Sequence, residues 1–290
     1  MKHIHIKIKF DFGVSYILKT LYVTDLDGTL LNSQSKISEY SIQVINKLVE
    51  EGTMFTYATA RSLSSASLVT KGLTTDIPVI IYNGTFILNA TTGEIVSSNI
   101  FNDTEKQFII DLLAKYKIYP LVYSYIDGIE KVSWLCGNEN DGIKNYLHSR
   151  KGDKRLNPLT NEKSLYIGNV FYFTCIGGKE ELLPIYNALK DNSHYNCIFQ
   201  QELYCEEYWC EIMHKKATKA NAILQLKDIL RCDKIVSFGD AINDIPMFTI
   251  SDESYAVINA IAELKAISTG IISSNDDNGV AKWLETHCKL

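Results

Sequence analysis

Short apolar runs alternate with segments of helical periodicity in the first part of the chain. The runs at 21–24, 53–58 and 78–82 are rich in β-branched and aromatic residues, and they predict buried strands. Between the first two runs, apolar residues recur at helical spacing and predict a helix over 39–51, with Ser38 as its N-cap. The order strand, helix, strand predicts a right-handed βαβ unit in which the two strands are parallel.

After residue 86 the regular alternation of strand and helix stops. Predicted strands lie at 86–88, 94–96, 118–126, 129–135, 170–176 and 195–205. Predicted helices lie at 104–117, 140–150 and 179–190. We assign residues 87–205 to an inserted α+β unit, which we call the cap. Its aromatic residues, among them Tyr123 and Tyr172, are interpreted as sheet packing.

The last part of the chain returns to the pattern of the first. The run at 208–213 is interpreted as a core strand, a helix follows, and the run at 234–238 predicts a further strand. The predicted fold class is therefore α/β. A doubly wound, Rossmann-like parallel core is formed by residues 19–86 and 206–290, and it carries the inserted α+β cap.

Residues 1–18 precede the first predicted core strand. Polar and apolar residues alternate from His3 to Phe10, which is typical of a half-buried strand. The segment is either an added edge strand or a disordered leader, and the leader is the preferred interpretation. We therefore expect residues 1–18 to be dispensable for folding and activity.

Composition narrows the possible functions. The chain has 290 residues and 46% hydrophobic content, enough for two domains. Its net charge of −5 argues against a nucleic-acid partner, because binding a phosphate backbone requires clustered Lys and Arg. Seven cysteines without a CxxC pair indicate neither a disulfide framework nor a zinc site. No apolar run approaches the roughly 20 residues that span a bilayer, and no signal peptide is recognisable. We expect a soluble cytoplasmic protein, monomeric or homodimeric, without a membrane partner.

Two carboxylates follow the first predicted strand. Asp25 and Asp27 stand two positions apart, which directs both side chains to one side of an extended chain, and Gly28 then permits a sharp turn. Carboxylates this close repel one another unless a cation or a shared proton relieves them, so a divalent metal is the natural occupant between them. Such a pair suits phosphate chemistry, with one Asp attacking phosphorus and the other moving protons. The alternative is that the pair merely ends a strand and caps a turn.

The stretch around these carboxylates resembles the first motif of the haloacid dehalogenase superfamily. From Thr24 to Asn32 the chain reads T-D-L-D-G-T-L-L-N, which is similar to the Cof-like branch of that superfamily. The segment 239–247 matches the family pattern G-D-x-x-N-D-x-x-M at every fixed position. By motif, the resemblance covers 21–86 and 206–290.

Two further segments are similar to motifs of this family. Thr59-Ala60-Arg61 resembles its T-G-R, with Ala60 in place of the usual Gly, and this raises a question about how closely phosphate approaches the backbone. The Lys-rich segment after 213 resembles the motif that supplies a lysine. The spacing to the following helix favours Lys219 over Lys216 for that role.

The resemblance implies a Mg²⁺-dependent phosphatase that works through an aspartyl-phosphate. Asp25 would be the nucleophile and Asp27 the general acid and base. The carboxylates of Asp25 and Asp240 and the backbone carbonyl of Asp27 would hold Mg²⁺, with Asp244 supporting them. The implied phosphate-binding residues are Leu26, Thr59, Ala60, Lys219 and Asn243.

The implied substrates are small phosphorylated metabolites, such as sugar phosphates, nucleotides or cofactor phosphates. A phosphosugar mutase would use the same core, and release of free phosphate distinguishes the two. A non-catalytic protein that binds phosphorylated metabolites is the second alternative. It predicts the loss of a motif carboxylate, and none is lost.

Overall fold

Strands and helices alternate at the two ends of the chain and mix in its middle. The computed structural model describes residues 18–201 and 206–288. Its strands are β1 (Thr20–Thr24), β2 (Met54–Tyr57), β3 (Val79–Ile81), β4 (Phe86–Leu88), β5 (Ile95–Ser98), β6 (Leu121–Ile126), β7 (Ile129–Leu135), β8 (Leu156–Leu159), β9 (Asn169–Gly177), β10 (Tyr195–Gln201), β11 (Tyr208–His214), β12 (Lys234–Gly239), β13 (Glu253–Val257) and β14 (Gly270–Ile272). Its α-helices are α1 (Glu39–Glu50), α2 (Leu63–Val69), α3 (Asp103–Tyr116), α4 (Asp141–Ser149), α5 (Lys179–Leu189), α6 (Lys219–Leu230), α7 (Ile245–Ile250), α8 (Ala262–Ile267) and α9 (Gly279–His287). Seven of these elements have no counterpart among the predicted ones: β8, β13, β14, α2, α7, α8 and α9.

A parallel sheet of order β14–β13–β12–β1–β2 forms the core. Leu21 and Val23 of β1 face the hydrophobic cluster of α6, α7 and α8, whereas Tyr22 faces that of α1 and α9. Helices thus cover both faces of the sheet, and the predicted doubly wound α/β core is confirmed. Thr24 pairs with both Tyr57 and Phe238, so β1, β2 and β12 end side by side. The residues that follow these strands therefore meet at one edge, where ligands bind in open parallel sheets.

Helix α1 connects the parallel strands β1 and β2, so that both strands end at this edge of the sheet. The Ser38 hydroxyl accepts a hydrogen bond from the backbone N–H of Ser41, which satisfies one of the free donors of the first turn. Ile45, Leu48 and Val49 are buried against the core. The predicted helix and its N-cap are present, and α1 carries the chain back to the start of β2.

The second large sheet has the order β10–β11–β9–β6–β7–β8, and we call it the cap sheet. Its strands are antiparallel except for the pair β7 and β8. Apolar side chains of α3 and α5, including Ile109, Leu113 and Leu182, bury one face of this sheet. The inserted α+β unit expected from the sequence is therefore built on one mixed sheet.

The interpretation of the run at 208–213 as a core strand is wrong. The strand β11 lies in the cap sheet, antiparallel to both β9 and β10. Its buried Cys210 and Ile212 join the cluster that α3 and α5 cover. A strand followed by a loop and a helix looks locally like part of a βαβ unit, and only the pairing partners reveal the sheet to which it belongs.

The hairpin of β4 and β5 connects to the core rather than to the cap sheet. Strand β4 pairs with β3, and β3 joins the core through a bridge between Ile80 and Ala58. The predicted cap begins at residue 87, so it includes β5 and most of β4. The division of the chain into core and cap domains stays a prediction.

Two expectations concern parts of the chain away from the site. The proposed leader or edge strand over residues 1–18 lies outside the described residues except for Leu18, which is exposed. Among the described residues, no helix is both long and apolar enough to cross a membrane.

Candidate active site

Asp25 is buried directly after β1, and its partner is the buried Lys219. Lys219 Nζ lies 2.5 Å from Oδ1 of Asp25 and 2.7 Å from Oδ1 of Asp244. Lys219 begins α6, whose N-cap Thr218 accepts a hydrogen bond from the Asn221 N–H. Lys215 and Lys216 are exposed. The structure thus brings Lys219, and not Lys216, to the carboxylate of Asp25.

The loop after β12 contributes two more carboxylates. Asp240 accepts a hydrogen bond from the Thr29 hydroxyl at 2.8 Å. Asp244 is fully buried and accepts the backbone N–H groups of Asp240 and Ala241 at 2.9 and 3.0 Å. Among the described residues, Asp25, Asp240 and Asp244 each bring one ligand atom within 4.8 Å of the others. Three oxygen donors therefore converge at the carboxyl edge of β1 and β12.

Two glycines make this convergence possible. Gly28 has a φ of +77°, and a Cβ at this position would overlap Oδ2 of Asp240. A Cβ on Gly239 would lie 2.7 Å from Oδ2 of Asp244. Gly239 differs from Gly28 in its backbone conformation. Its φ is not among the positive ones, and its role is to let Asp244 approach the backbone.

Burial and charge act together on these groups. Burial raises the pKa of Asp25 well above its ordinary value; Lys219 opposes this, while Asp244 and Asp240 add to it. Burial, followed by the carboxylate of Asp244, raises the pKa of Asp240 to about 6. Burial alone would lower the pKa of Lys219, but Asp244 and Asp25 raise it overall, so its ammonium stays charged.

These residues fit a divalent cation. Three ionised carboxylates and one ammonium carry a net charge of −3 + 1 = −2. Hard cations such as Mg²⁺ prefer carboxylate oxygens, and a charge of +2 would relieve the repulsion among them. The cluster can therefore hold a metal ion, with Asp25 and Asp240 as sequence analysis predicted and with the carboxylate of Asp244 beside them.

The side chain of Asp27 does not take part in that cluster. Its carboxylate pairs with Arg61, Nε to Oδ2 at 2.7 Å and Nη2 to Oδ1 at 2.6 Å. The prediction of a metal between the carboxylates of Asp25 and Asp27 therefore gains no support from this arrangement and stays a prediction. It assumed an extended chain, whereas residues 26–30 form a helical turn interrupted at Asp27 and Gly28. The predicted metal contact through the Asp27 carbonyl stays a prediction.

The remaining predicted residues surround the same edge. Thr59 is buried after β2, and its hydroxyl accepts the backbone N–H of Arg61 at 3.2 Å. Ala60 is exposed and is not among the residues with positive φ, so its methyl group causes no backbone strain. The side chain of Leu26 is buried in the core. Asn243 donates to Oδ1 of Asn83 at 3.4 Å and lines a 180 Å³ cavity together with Lys219.

A second and larger cavity lies beside Asp27. We call this space of about 310 Å³ the active-site cavity; Asp27, Ala60 and Arg61 line it from the core. The cap sheet and its helices contribute Tyr123, Tyr146, Arg150, Arg155, Tyr172 and Trp209. Tyr123 and Tyr172, expected to pack within the sheet, line the cavity, and so do Arg61, Arg150 and Arg155, for which no role was predicted. Only the position of Arg61 directly after Thr59 and Ala60 offered a signal.

A family model described as haloacid dehalogenase-like hydrolase matches residues 22–284. The chain belongs to this family. A 5-amino-6-(5-phospho-D-ribitylamino)uracil phosphatase of Bacillus subtilis is 28% identical over 279 residues, covering 90% of this chain and 95% of the relative. A second B. subtilis protein of the same name is 24% identical over 277 residues, covering 93% and 98%. The haloacid dehalogenase resemblance is confirmed, and with it the predicted enzyme class, a phosphatase.

A solved structure agrees with this assignment. The Thermotoga maritima protein TM0651 superposes with a TM-score of 0.73 at 26% identity, covering 93% of this chain and 97% of the other. Because nearly the whole of both chains is covered, the likeness includes the cap sheet as well as the core. The cap, which sequence motifs matched only in position and size, thus has a counterpart in this solved structure.

Proposed function

We propose that this haloacid dehalogenase-like protein is a Mg²⁺-dependent phosphatase of small phosphorylated metabolites that works through an aspartyl-phosphate. The observation that carries the proposal is the meeting of Asp25 with Lys219, Asp240 and Asp244 at one edge of the core sheet. A buried carboxylate with a paired cation and a cation-binding donor set suits attack on a phosphate, because the negative charge of both reactants needs compensation.

Asp25 and Asp27 divide the chemistry between them. Oδ of Asp25 attacks phosphorus as the bond from phosphorus to the leaving oxygen breaks, and Asp27 gives that oxygen a proton. Asp27 then takes a proton from water as the water attacks phosphorus. Phosphate leaves and Asp25 is regenerated. Their positions support this division, since Asp25 is buried within the cation-binding cluster and Asp27 borders the active-site cavity.

The other residues bind and orient the phosphate. Lys219 neutralises the nucleophile, while Thr59 and Asn243 offer neutral hydrogen-bond donors, as do the backbone amides at Leu26 and Ala60. Asp25 and Asp240, with Asp244 beside them, would hold Mg²⁺, and the ion would supply neutralisation of the negative charge on the transferred group. The net charge of −2 on the ionised cluster supports a divalent ion at this place.

The substrate class follows from the cavity and the relatives. A space of about 310 Å³ suits a molecule of the size of a phosphorylated sugar or nucleoside. Two relatives are named for a phosphorylated ribitylaminouracil, so a sugar-alcohol phosphate attached to a pyrimidine belongs in the first set of substrates to be tried.

A phosphate-release assay tests the proposal. Purified protein is incubated with sugar phosphates, nucleotides and cofactor phosphates, with Mg²⁺ or with excess EDTA, and free phosphate is measured. We expect release with Mg²⁺, none with EDTA, and none from Asp25→Asn. Full activity after chelation would contradict the metal assignment. Phosphoryl transfer to a second sugar without free phosphate would indicate a mutase, and failure on every substrate would overturn the proposal.

A further inference from the structure

The active-site cavity extends beyond the phosphate-handling residues into a basic groove. It shares Ser65, Arg150 and Arg155 with a second space of about 610 Å³ between α2 and the loop 150–155. That loop reads Arg-Lys-Gly-Asp-Lys-Arg, four cations and one anion. A substrate that occupies the active-site cavity beside Asp27 therefore also meets the positively charged loop 150–155.

Two of the three arginines that line the active-site cavity are occupied by carboxylates. Arg61 pairs with Asp27 through two hydrogen bonds. Arg155 pairs with Glu130 at 2.7 Å and with Asp153 at 2.6 Å. Arg150 differs from both, because among the described residues no carboxylate lies within ion-pair distance of it.

Arg150 is nevertheless held in place. Its guanidinium carbon lies 3.7 Å from the ring centre of Tyr146, and its Nη1 donates to the Ser149 hydroxyl at 3.1 Å. Tyr146 is buried, its hydroxyl is hydrogen-bonded to that of Tyr123 at 2.8 Å, and its ring packs against Trp209. Stacking uses the face of the guanidinium and leaves N–H donors at its edge for another group. Arg150 is thus a fixed cation with free donor capacity.

The nearby carboxylates are hydrogen-bonded to other groups, including Asp153, which pairs with Arg155. Asp27 is bound by Arg61, and Glu211 accepts a hydrogen bond from the phenol of Tyr172. The exposed Lys151 and Lys154 add positive charge at the rim of the groove. An anion that reaches Arg150 therefore finds a partner that no described carboxylate occupies.

We propose that Arg150 forms a binding subsite for a second anionic group of the substrate, a carboxylate or a phosphate at the end remote from the transferred phosphoryl group. The subsite rests on the proposed function, and it narrows the substrate class to phosphomonoesters that carry a further anion. Two parallel hydrogen bonds from the edge of the guanidinium to the second anion increase the affinity for such substrates.

Matched substrate pairs test this subsite. Glucose 6-phosphate and 6-phosphogluconate differ by a carboxylate at the far end of the carbon chain. Fructose 6-phosphate and fructose 1,6-bisphosphate differ by a phosphate there. For wild-type protein we expect kcat/KM to be higher for the doubly anionic member of at least one pair, mainly through a lower KM. Which pair shows the preference distinguishes a carboxylate from a phosphate.

The variant Arg150→Gln should lower this preference ratio about tenfold or more, the loss expected for a charge-assisted hydrogen bond. Arg231→Gln is the control, because it removes an equal charge from an exposed residue at the far end of α6. It should leave the ratio and the melting temperature unchanged. The melting temperature of Arg150→Gln shows whether the variant is folded.

A binding experiment separates failure of the subsite from failure of the proposed function. Calorimetric titration of Asp25→Asn protein with the same four compounds measures affinity without turnover. Tighter binding of a doubly anionic compound, reduced by adding Arg150→Gln, supports the subsite even where wild-type protein releases no phosphate. Equal affinities within both pairs, or a preference that survives in the double variant, overturn it even where phosphate is released.

Discussion

Arg61 holds both carboxylate oxygens of Asp27, with Nε 2.7 Å from Oδ2 and Nη2 2.6 Å from Oδ1. A two-point pair of this kind fixes the plane of the carboxylate. Arg61 is itself anchored to α2, since its Nη1 donates to the Ser65 hydroxyl at 3.0 Å. Each Asp27 oxygen keeps a further lone pair, so Asp27 can exchange a proton while Arg61 holds the plane of its carboxylate. We interpret Arg61 as a positioning residue for the general acid.

Replacing Arg61 should therefore affect substrates according to their leaving groups. Arg61→Ala is expected to lower kcat for a sugar phosphate about tenfold or more, because an alkoxide leaves only with a proton. The loss with p-nitrophenyl phosphate should be smaller, since nitrophenolate is a weak base. Steady-state kinetics with both substrates measures this. Arg61→Lys keeps the charge without the two-point pair and serves as the comparison, and equal losses with both substrates would argue against positioning.

Rapid mixing with p-nitrophenyl phosphate should separate the roles of the two carboxylates. Asp27→Asn should still transfer phosphate to Asp25 but hydrolyse the intermediate slowly, because the base that activates water is lost. We expect a burst of up to one nitrophenolate per enzyme followed by a slow phase. Asp25→Asn should give no burst, because an amide is a poor nucleophile. A burst from Asp25→Asn, or full burst-free activity of Asp27→Asn, contradicts the assigned roles.

Gly28 should be essential for the metal site. Gly28→Ala would place a Cβ against Asp240 in addition to straining a φ of +77°. Gly52→Ala is a matched control, since its φ is +97° and no atom lies within 4 Å of the added Cβ. Both changes should cost about 1–2 kcal/mol in backbone strain. Only Gly28→Ala should raise the Mg²⁺ concentration for half-maximal activity, about tenfold or more. Titration of activity with Mg²⁺ and melting temperatures measure the two effects. An equal rise in the required Mg²⁺ concentration for both variants would contradict the role of Gly28 in the metal site.

The stabilisation by Mg²⁺ should depend on pH. In the absence of a cation, folding raises the pKa of Asp240 from 3.8 to about 6. Between these values the folded protein binds more protons than the unfolded chain, so the free energy of unfolding falls as pH rises through this window. Mg²⁺ competes with the proton for the carboxylate. We therefore expect Mg²⁺ to raise the melting temperature more at pH 7 than at pH 5, measured against EDTA at each pH. Equal shifts would show that Asp240 is ionised throughout.

The sequence was most informative where local pattern and motif coincide. Three features followed from neighbouring residues: the strand directly before Asp25, the helix capped by Ser38, and the choice of Lys219 over Lys216. Strand ends, caps and helix starts are local properties of the chain. The clustering of Asp25 with Asp240 was foreseeable for a related reason, since the carboxyl ends of parallel strands meet at one edge.

The misassigned features depend on contacts between distant segments. The cap-sheet position of β11 is decided by its pairing with β9 and β10, about which its own residues carry no information. The pairing of the Asp27 carboxylate with Arg61 joins residues 34 positions apart in the chain. The stacking of Arg150 on Tyr146 likewise needed the folded cap. Side-chain direction at the site therefore required the structure.

Gly84 lies at the junction between the two large sheets, in contact with both segments that connect them. Its carbonyl accepts a hydrogen bond from Nδ2 of Asn99, near the point where the chain leaves for the cap sheet. Its Cα faces the carbonyl of Thr218, where the chain returns, so closely that no side chain would fit. Departing and returning segments are thus tied to one residue. A different cap grafted between these two points would inherit a nearly closed junction, so we expect the core to accept a foreign cap without a redesigned linker.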